Sequence, residues 1–213
     1  RIMNEKEIAR GLLEIGAVKL SPEEPFTWAS GLHSPIYCDN RKALSSPTLR
    51  SEICKTMVEI IKARYPKVEI IAGVATGAIA YGAIVADILG LPFCYVRSAA
   101  KDHGMGNQVE GKVPEGSNVV IIEDLISTGG SSIAAAEALM KIGAHILGMV
   151  AIFSYNFHTA RGRFESSNLE LITLSNYDAL IDEAISGGDI SPKDEDMLRE
   201  WRFSPEQWSE KHQ

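Results

Sequence analysis

Positive charge is in deficit in this sequence: 21 Lys and Arg stand against 28 Asp and Glu, a formal net charge of −7. No global field draws such a chain to nucleic acid or anionic lipid, and no nucleic-acid-binding module is recognisable in it. A local basic site for an anionic small molecule is still allowed. Cysteine is sparse too. Cys38, Cys54 and Cys94 are odd in number and far apart, with neither metal-ligand spacing nor the density of a disulfide scaffold, so they read as free thiols of a reducing cytoplasm. The longest uncharged stretch, Ile70 to Ala86, is shorter than the roughly 20 apolar residues a bilayer requires and is interrupted by Gly73, Gly77 and Gly82. No basic flank followed by an apolar run marks a signal peptide, and no repeat or low-complexity tract is present. These absences point away from a membrane or nucleic-acid partner.

What is present suits one sizeable core: 213 residues, 45% hydrophobic and 23% charged, with a single domain over 1–213 as the default. Asn4 with Glu7 three residues on resembles a helix cap, and Ile8, Leu12, Leu13 and Ile15 follow at helical spacing until Gly16. From Val18 to Ala43 the pattern breaks into short pieces around Pro22, Pro25, Gly31 and Pro35, which predicts loops and short strands. Ser46 and Pro47 open a second helix whose apolar face is Leu49, Ile53, Met57, Ile60 and Ile61.

Beyond it, β-rich runs alternate with helical patterns. Strands are expected over 70–74, 93–96, 119–122, 146–153 and 171–174, and helices over 78–89, 132–142 and 177–185. Such alternation predicts a mainly parallel sheet with helices on both faces, and near-continuous apolar runs such as VVII fit strands buried on both sides. The tail, 191–213, reads as one or two polar helices around Trp201 and Trp208.

The chemistry concentrates in Val119 to Ser132, VVIIEDLISTGGSS: an apolar strand, two acids, then a turn rich in Ser, Thr and Gly that opens a helix. In open α/β sheets, ligands bind beyond the carboxyl ends of the strands. Backbone N–H groups from Thr128 to Ser131, with the hydroxyls of Ser127, Thr128 and Ser131, suit a phosphate at a helix N-terminus, and Gly129 and Gly130 permit close backbone approach. Glu123 and Asp124 would repel that phosphate unless they serve another group, such as sugar hydroxyls or a magnesium ion. A ribose 5-phosphate satisfies both halves. An ordinary strand-to-helix turn explains an acidic pair and a serine alone; the whole pattern favours the ligand.

This segment resembles the phosphoribosyl pyrophosphate motif of the phosphoribosyltransferase family. The resemblance implies that Glu123 and Asp124 hold ribose hydroxyls while Ser127, Thr128, Gly129, Gly130 and Ser131 enclose the 5-phosphate, with Leu125 and Ile126 completing the motif. Two further segments narrow the family. Arg97 to Gly111, RSAAKDHGMGNQVEG, is polar and irregular and resembles the catalytic loop of orotate phosphoribosyltransferases; Phe26 to Arg41, FTWASGLHSPIYCDNR, is similar to their pyrimidine-side segment. The resemblance runs from about residue 8 to about residue 185. It departs at Ala29, where many relatives carry Lys, at Ser98, which replaces a second basic residue, and at the turn 75–78, which lacks a lysine found in some members.

The resemblance implies the type I phosphoribosyltransferase fold, with residues 18–43 in a small N-terminal hood and 191–213 as a helical tail. It also implies transfer of the phosphoribosyl group to orotate in pyrimidine biosynthesis, with Lys101, Arg97 and His103 catalytic. Magnesium would be bound mainly through substrate and water, with no protein ligand set. The expected state is a cytoplasmic homodimer whose active sites are shared, Lys101 of one subunit serving the other. With Ala29 in place of the usual lysine, the orotate carboxylate is expected on backbone groups near Ser127, with Arg41 as the candidate cation, while His33, His145 and His158 read as structural. A purine or uracil transferase, or a regulator that senses phosphoribosyl pyrophosphate, are the alternatives.

Overall fold

A computed structural model describes residues 2–99 and 107–213. Asn4 starts α1 (Glu5–Glu14) in a reciprocal capping box with Glu7. Residues 18–38 then form four very short strands, β1 (Val18–Leu20), β2 (Phe26–Thr27), β3 (His33–Ser34) and β4 (Ile36–Cys38), paired antiparallel as β1 with β4 and β2 with β3. A 3-10 turn over Asn40–Ser45 leads into α2 (Pro47–Arg64), where Ser46 accepts the Leu49 N–H and Pro47 occupies the first turn.

The expected alternation follows: β5 (Ile70–Val74), α3 (Ile79–Leu89), β6 (Phe93–Val96), β7 (Val109–Glu110), β8 (Asn118–Ile126), α4 (Gly130–Lys141), β9 (His145–Ser154), α5 (His158–Ser166), β10 (Leu171–Asn176) and α6 (Tyr177–Ser186). The tail adds α7 (Glu195–Phe203) and α8 (Pro205–Lys211). Strand order across the main sheet is β10-β9-β8-β5-β6-β7, parallel throughout except where β7 pairs antiparallel with β6.

Because side chains alternate across a strand, the sheet divides the interior in two. Ile71, Val120, Ile122, Val150 and Ile152 face a core built with α1, α2, α3, α6 and α7. Ile70, Ala72, Val119, Ile121, Met149 and Ala151 face the other, built with α4 and α5. Each fully buried Ile or Val contributes about 1.5–3 kcal/mol, so both layers hold the sheet.

Three details differ from the sequence reading. The strand expected over 119–122 continues to Ile126, because Glu123 stays in register with Ala151 and Leu125 with Phe153 of β9, so both acids lie within it. The next helix begins at Gly130 rather than Ser132. The tail helices bury more than a polar reading suggests: Trp201 is 0% and Trp208 4% exposed.

Candidate functional site

A cleft of about 530 Å³ opens at the carboxyl ends of β5, β6 and β8. Asp124, Leu125, Ser127, Thr128, Gly129 and Ser131 border it from β8 and the following turn, and Arg97 and Ser98 border it from the end of β6. The β5–α3 turn supplies Ala75, Thr76 and Gly77, and the hood supplies Cys38, Asp39 and Arg41. A groove of similar size, about 570 Å³, lies between α5 and β10; it shares no bordering residue with the cleft and contains none of the motif residues.

The two acids occupy unlike surroundings. Asp124 is half-buried, and its carboxylate lies against Gly77, where an added Cβ would collide with it. Glu123 is buried; its Oε2 accepts from Ser132 Oγ at 2.9 Å and its Oε1 from the Asp124 N–H at 3.0 Å. Burial, and then the neighbouring Asp124, hold the Glu123 carboxyl well above the usual glutamate range.

The hood fixes the acidic strand from the other side. Asn40, 1% exposed, donates from Nδ2 to the Asp124 carbonyl at 2.8 Å, and the Tyr81 hydroxyl of α3 donates to the Asn40 carbonyl at 2.6 Å. A local pattern search misses such a residue, because its partners are 84 and 41 positions away.

The glycine-rich end of the cleft is built by α4 and the turn before it. Its N-cap is Gly129, at φ +85°, a left-handed conformation that leaves no side chain to cap the first turn. The first-turn N–H groups are thus open to an anion. Arg163 Nη1 donates to the Thr128 carbonyl at 2.8 Å and packs beside Gly130. Ile126 and Gly130 do not border the cleft: the Ile126 side chain is wholly within the second core, and Gly130 faces Arg163.

Arg97 is half-buried, its backbone paired with Gln108 and its guanidinium 3.7 Å from Glu110. Lys101 and His103 lie outside the described residues. Arg41 is paired with Asp39 at 2.8 Å.

An apolar pocket of about 290 Å³ joins the cleft through Cys38, Leu125 and Ser127, which border both. Its other walls are Thr27, Trp28, Ala29, Tyr37 and Tyr155. Trp28 and Tyr155 stack, with ring centroids 5.5 Å apart and planes at 22°. Burial pushes the Tyr155 hydroxyl well above the usual tyrosine range, so it stays a proton donor. The sequence reading missed Tyr155, since an aromatic at the end of an apolar strand looks like core. Among the described residues no cation borders this pocket.

A parallel sheet that sets an acidic pair and an uncapped, glycine-led helix N-terminus around one cleft is the architecture of a phosphoribosyltransferase. A model of the phosphoribosyl transferase domain matches residues 44–182. The chain is 56% identical to the orotate phosphoribosyltransferase of Porphyromonas gingivalis and 53% to that of Enterococcus faecalis, each over 95% of this chain and 97% of the relative. Among solved structures, the orotate phosphoribosyltransferase from Aeropyrum pernix is similar with a TM-score of 0.74 and 26% identity, covering 86% of this chain and 99% of that one. The chain belongs to the orotate phosphoribosyltransferase family.

Proposed function

We propose that this chain transfers the 5-phosphoribosyl group of phosphoribosyl pyrophosphate to orotate, giving orotidine 5'-phosphate and pyrophosphate in de novo pyrimidine (UMP) biosynthesis. One observation carries the reading: the cleft bordered by the acidic pair and the glycine-rich turn opens, through the shared residues Cys38, Leu125 and Ser127, into a pocket of about 290 Å³ walled by Trp28, Tyr37 and Tyr155. In this reading Asp124 and Glu123 face the ribose hydroxyls, and the Ser127 to Ser131 turn receives the 5-phosphate. The pyrimidine lies against Trp28, Tyr37 and Leu125, where Ser127 and Tyr155 offer hydroxyl donors to its polar edge. Arg41, the cation expected from sequence, borders the adjoining cleft and pairs with Asp39.

As the C–O bond to pyrophosphate breaks, positive charge grows on the sugar and the pyrimidine nitrogen attacks from the opposite face. Arg97 borders the leaving-group side, and Lys101 and His103, which follow it in sequence, are assigned the same task. Catalysis then consists of positioning and charge stabilisation rather than covalent work by a side chain. Among the described residues no cluster of three His, Cys, Asp or Glu could hold a metal. In this reading magnesium would be held mainly by substrate oxygens and water, with Asp124 at hand in the cleft, and would offset charge on the departing pyrophosphate. A homodimer with shared sites and a cytoplasmic setting belong to the same proposal. No helix among the described residues is long and apolar enough to cross a membrane.

The test is pyrophosphate release measured in parallel with orotate, hypoxanthine and uracil. Orotate is the expected acceptor, and chelation of magnesium should abolish turnover. Preferred use of hypoxanthine would overturn the assignment.

A further inference from the structure

The hairpin that carries Trp28 is too short to hold itself. Its strands, β2 and β3, have two residues each, far below what an isolated hairpin needs for stability. Trp28 is tied within the hood through Nε1, which donates to the Ile36 carbonyl at 2.9 Å. Beyond this bond and its stack on Tyr155, it is supported by the C-terminal tail.

Two contacts make that support. In α7, Leu198 and Trp201 face inward, and Trp201 is 0% exposed. The Trp201 ring meets Trp28 edge-on at 5.8 Å and 85°, and Tyr155 edge-on at 5.6 Å and 89°. It therefore presses on both members of the stacked pair that walls the apolar pocket, while Phe157 at 5.2 Å and Tyr177 at 5.1 Å close in on it from the body of the protein. The Tyr177 hydroxyl also donates to the Leu198 carbonyl at 2.7 Å, fixing α7 against α6. In α8, Ser209 Oγ accepts the His33 N–H at 2.8 Å, which ties the second strand of the hairpin to the tail.

We propose that the C-terminal helices are a positioning device for the base-binding pocket: Trp201 touches no substrate but sets the Trp28–Tyr155 wall, and Ser209 anchors the hairpin that bears it. The inference rests on the reading that this pocket takes orotate. It implies a one-sided effect. The residues that would grip the phosphoribosyl donor, Glu123, Asp124 and the turn after them, are held by Ser132, Asn40 and Arg163 respectively, none of which is in the tail. Loosening the tail should therefore weaken the acceptor side and spare the donor side.

Steady-state pyrophosphate release by Trp201→Leu, Trp201→Phe and Ser209→Ala separates the two sides. Trp201→Leu should raise KM for orotate about fivefold, the size of one edge-to-face aromatic contact, and leave KM for phosphoribosyl pyrophosphate within about twofold. Trp201→Phe keeps an aromatic edge and should recover most of the loss. Ser209→Ala leaves the core intact and should raise KM for orotate about twofold through the lost hydrogen bond; it carries the test if Trp201→Leu does not fold. An unchanged KM for orotate, or an equal rise in both constants, overturns the proposal. Should the wild type not turn over orotate, the functional reading fails on its own. The positioning claim is then read from hydrogen exchange at the Trp28 and Gly31 amides, which Ser209→Ala should accelerate; unaltered exchange there overturns it.

Discussion

Glu123 and Asp124 are adjacent in sequence and unlike in surroundings. Asp124 presents its carboxylate to the cleft beside Gly77, whereas Glu123 is enclosed, bonded to Ser132 and to the Asp124 N–H. The enclosure has a sign that can be worked out. A glutamate whose folded value is raised favours the fold in its protonated form, so its contribution is fully present below its ordinary 4.5 and is lost as pH rises through the raised value. Glu170 runs the other way: Arg64, then Tyr65, hold it down to about 2, so its contribution is present above 4.5 and is lost as pH falls toward that lower value. The two windows lie on opposite sides of 4.5. In melting curves of the ligand-free protein, Glu123→Gln should therefore abolish a decline in stability above that pH while leaving the acid limb in place. Parallel pH profiles for the two proteins would show that Glu123 titrates as an ordinary acid.

At the scale of elements, the turn between β8 and α4 makes the clearest demand on sequence. Gly129 combines a positive φ with close neighbours, since an added Cβ would lie 3.3 Å from Phe164 and 3.4 Å from Ala160. Gly129→Val should raise KM for phosphoribosyl pyrophosphate by about tenfold or more, the cost of forcing a β-branched residue into that conformation. Ser132→Ala should act differently, lowering stability by about 1–3 kcal/mol because Glu123 Oε2 loses its donor in a buried setting. Equal donor affinity in the two variants would break the assignment of this turn to the phosphate.

The turn was legible because its chemistry is consecutive: apolar run, acids, glycines. The alternation of strands and helices was legible for the same reason, each element announcing itself by period. The apolar pocket was legible only in part: Trp28 and Tyr37 lie in the pyrimidine-side segment Phe26 to Arg41, whereas Tyr155 is far along the chain and only tertiary folding brings it to them. Asn40 was invisible because its partners are distant. Trp201 and Trp208 were seen but set in a polar tail, because the charged residues around them outweigh two buried indoles in any local average. The two-residue β7 is set by pairing with β6 and has too little length for a period.

At the scale of the whole molecule, the proposed homodimer predicts that each site draws on both copies. A mixing experiment tests this: Lys101→Ala and Asp124→Asn, each inactive alone, are combined under conditions that exchange subunits. If Lys101 serves the partner's cleft, a mixed dimer holds one site with both residues intact and about half a wild-type dimer's sites per mixed pair recover. No recovery despite demonstrated exchange would confine Lys101 to its own subunit. Within one copy, the sheet separates the surroundings of the two tasks proposed for the site. The phosphate turn, with Ile126, Ala135, Ala160 and Phe164, packs into one core, whereas Tyr155, Phe157 and Trp201 pack into the other, with Trp28 against it. Substitutions that reshape the aromatic side meet neighbours in only one of these layers. Such a layout makes the molecule evolvable in halves: the choice of base can drift, or be re-engineered, while the grip on the activated sugar is inherited unchanged.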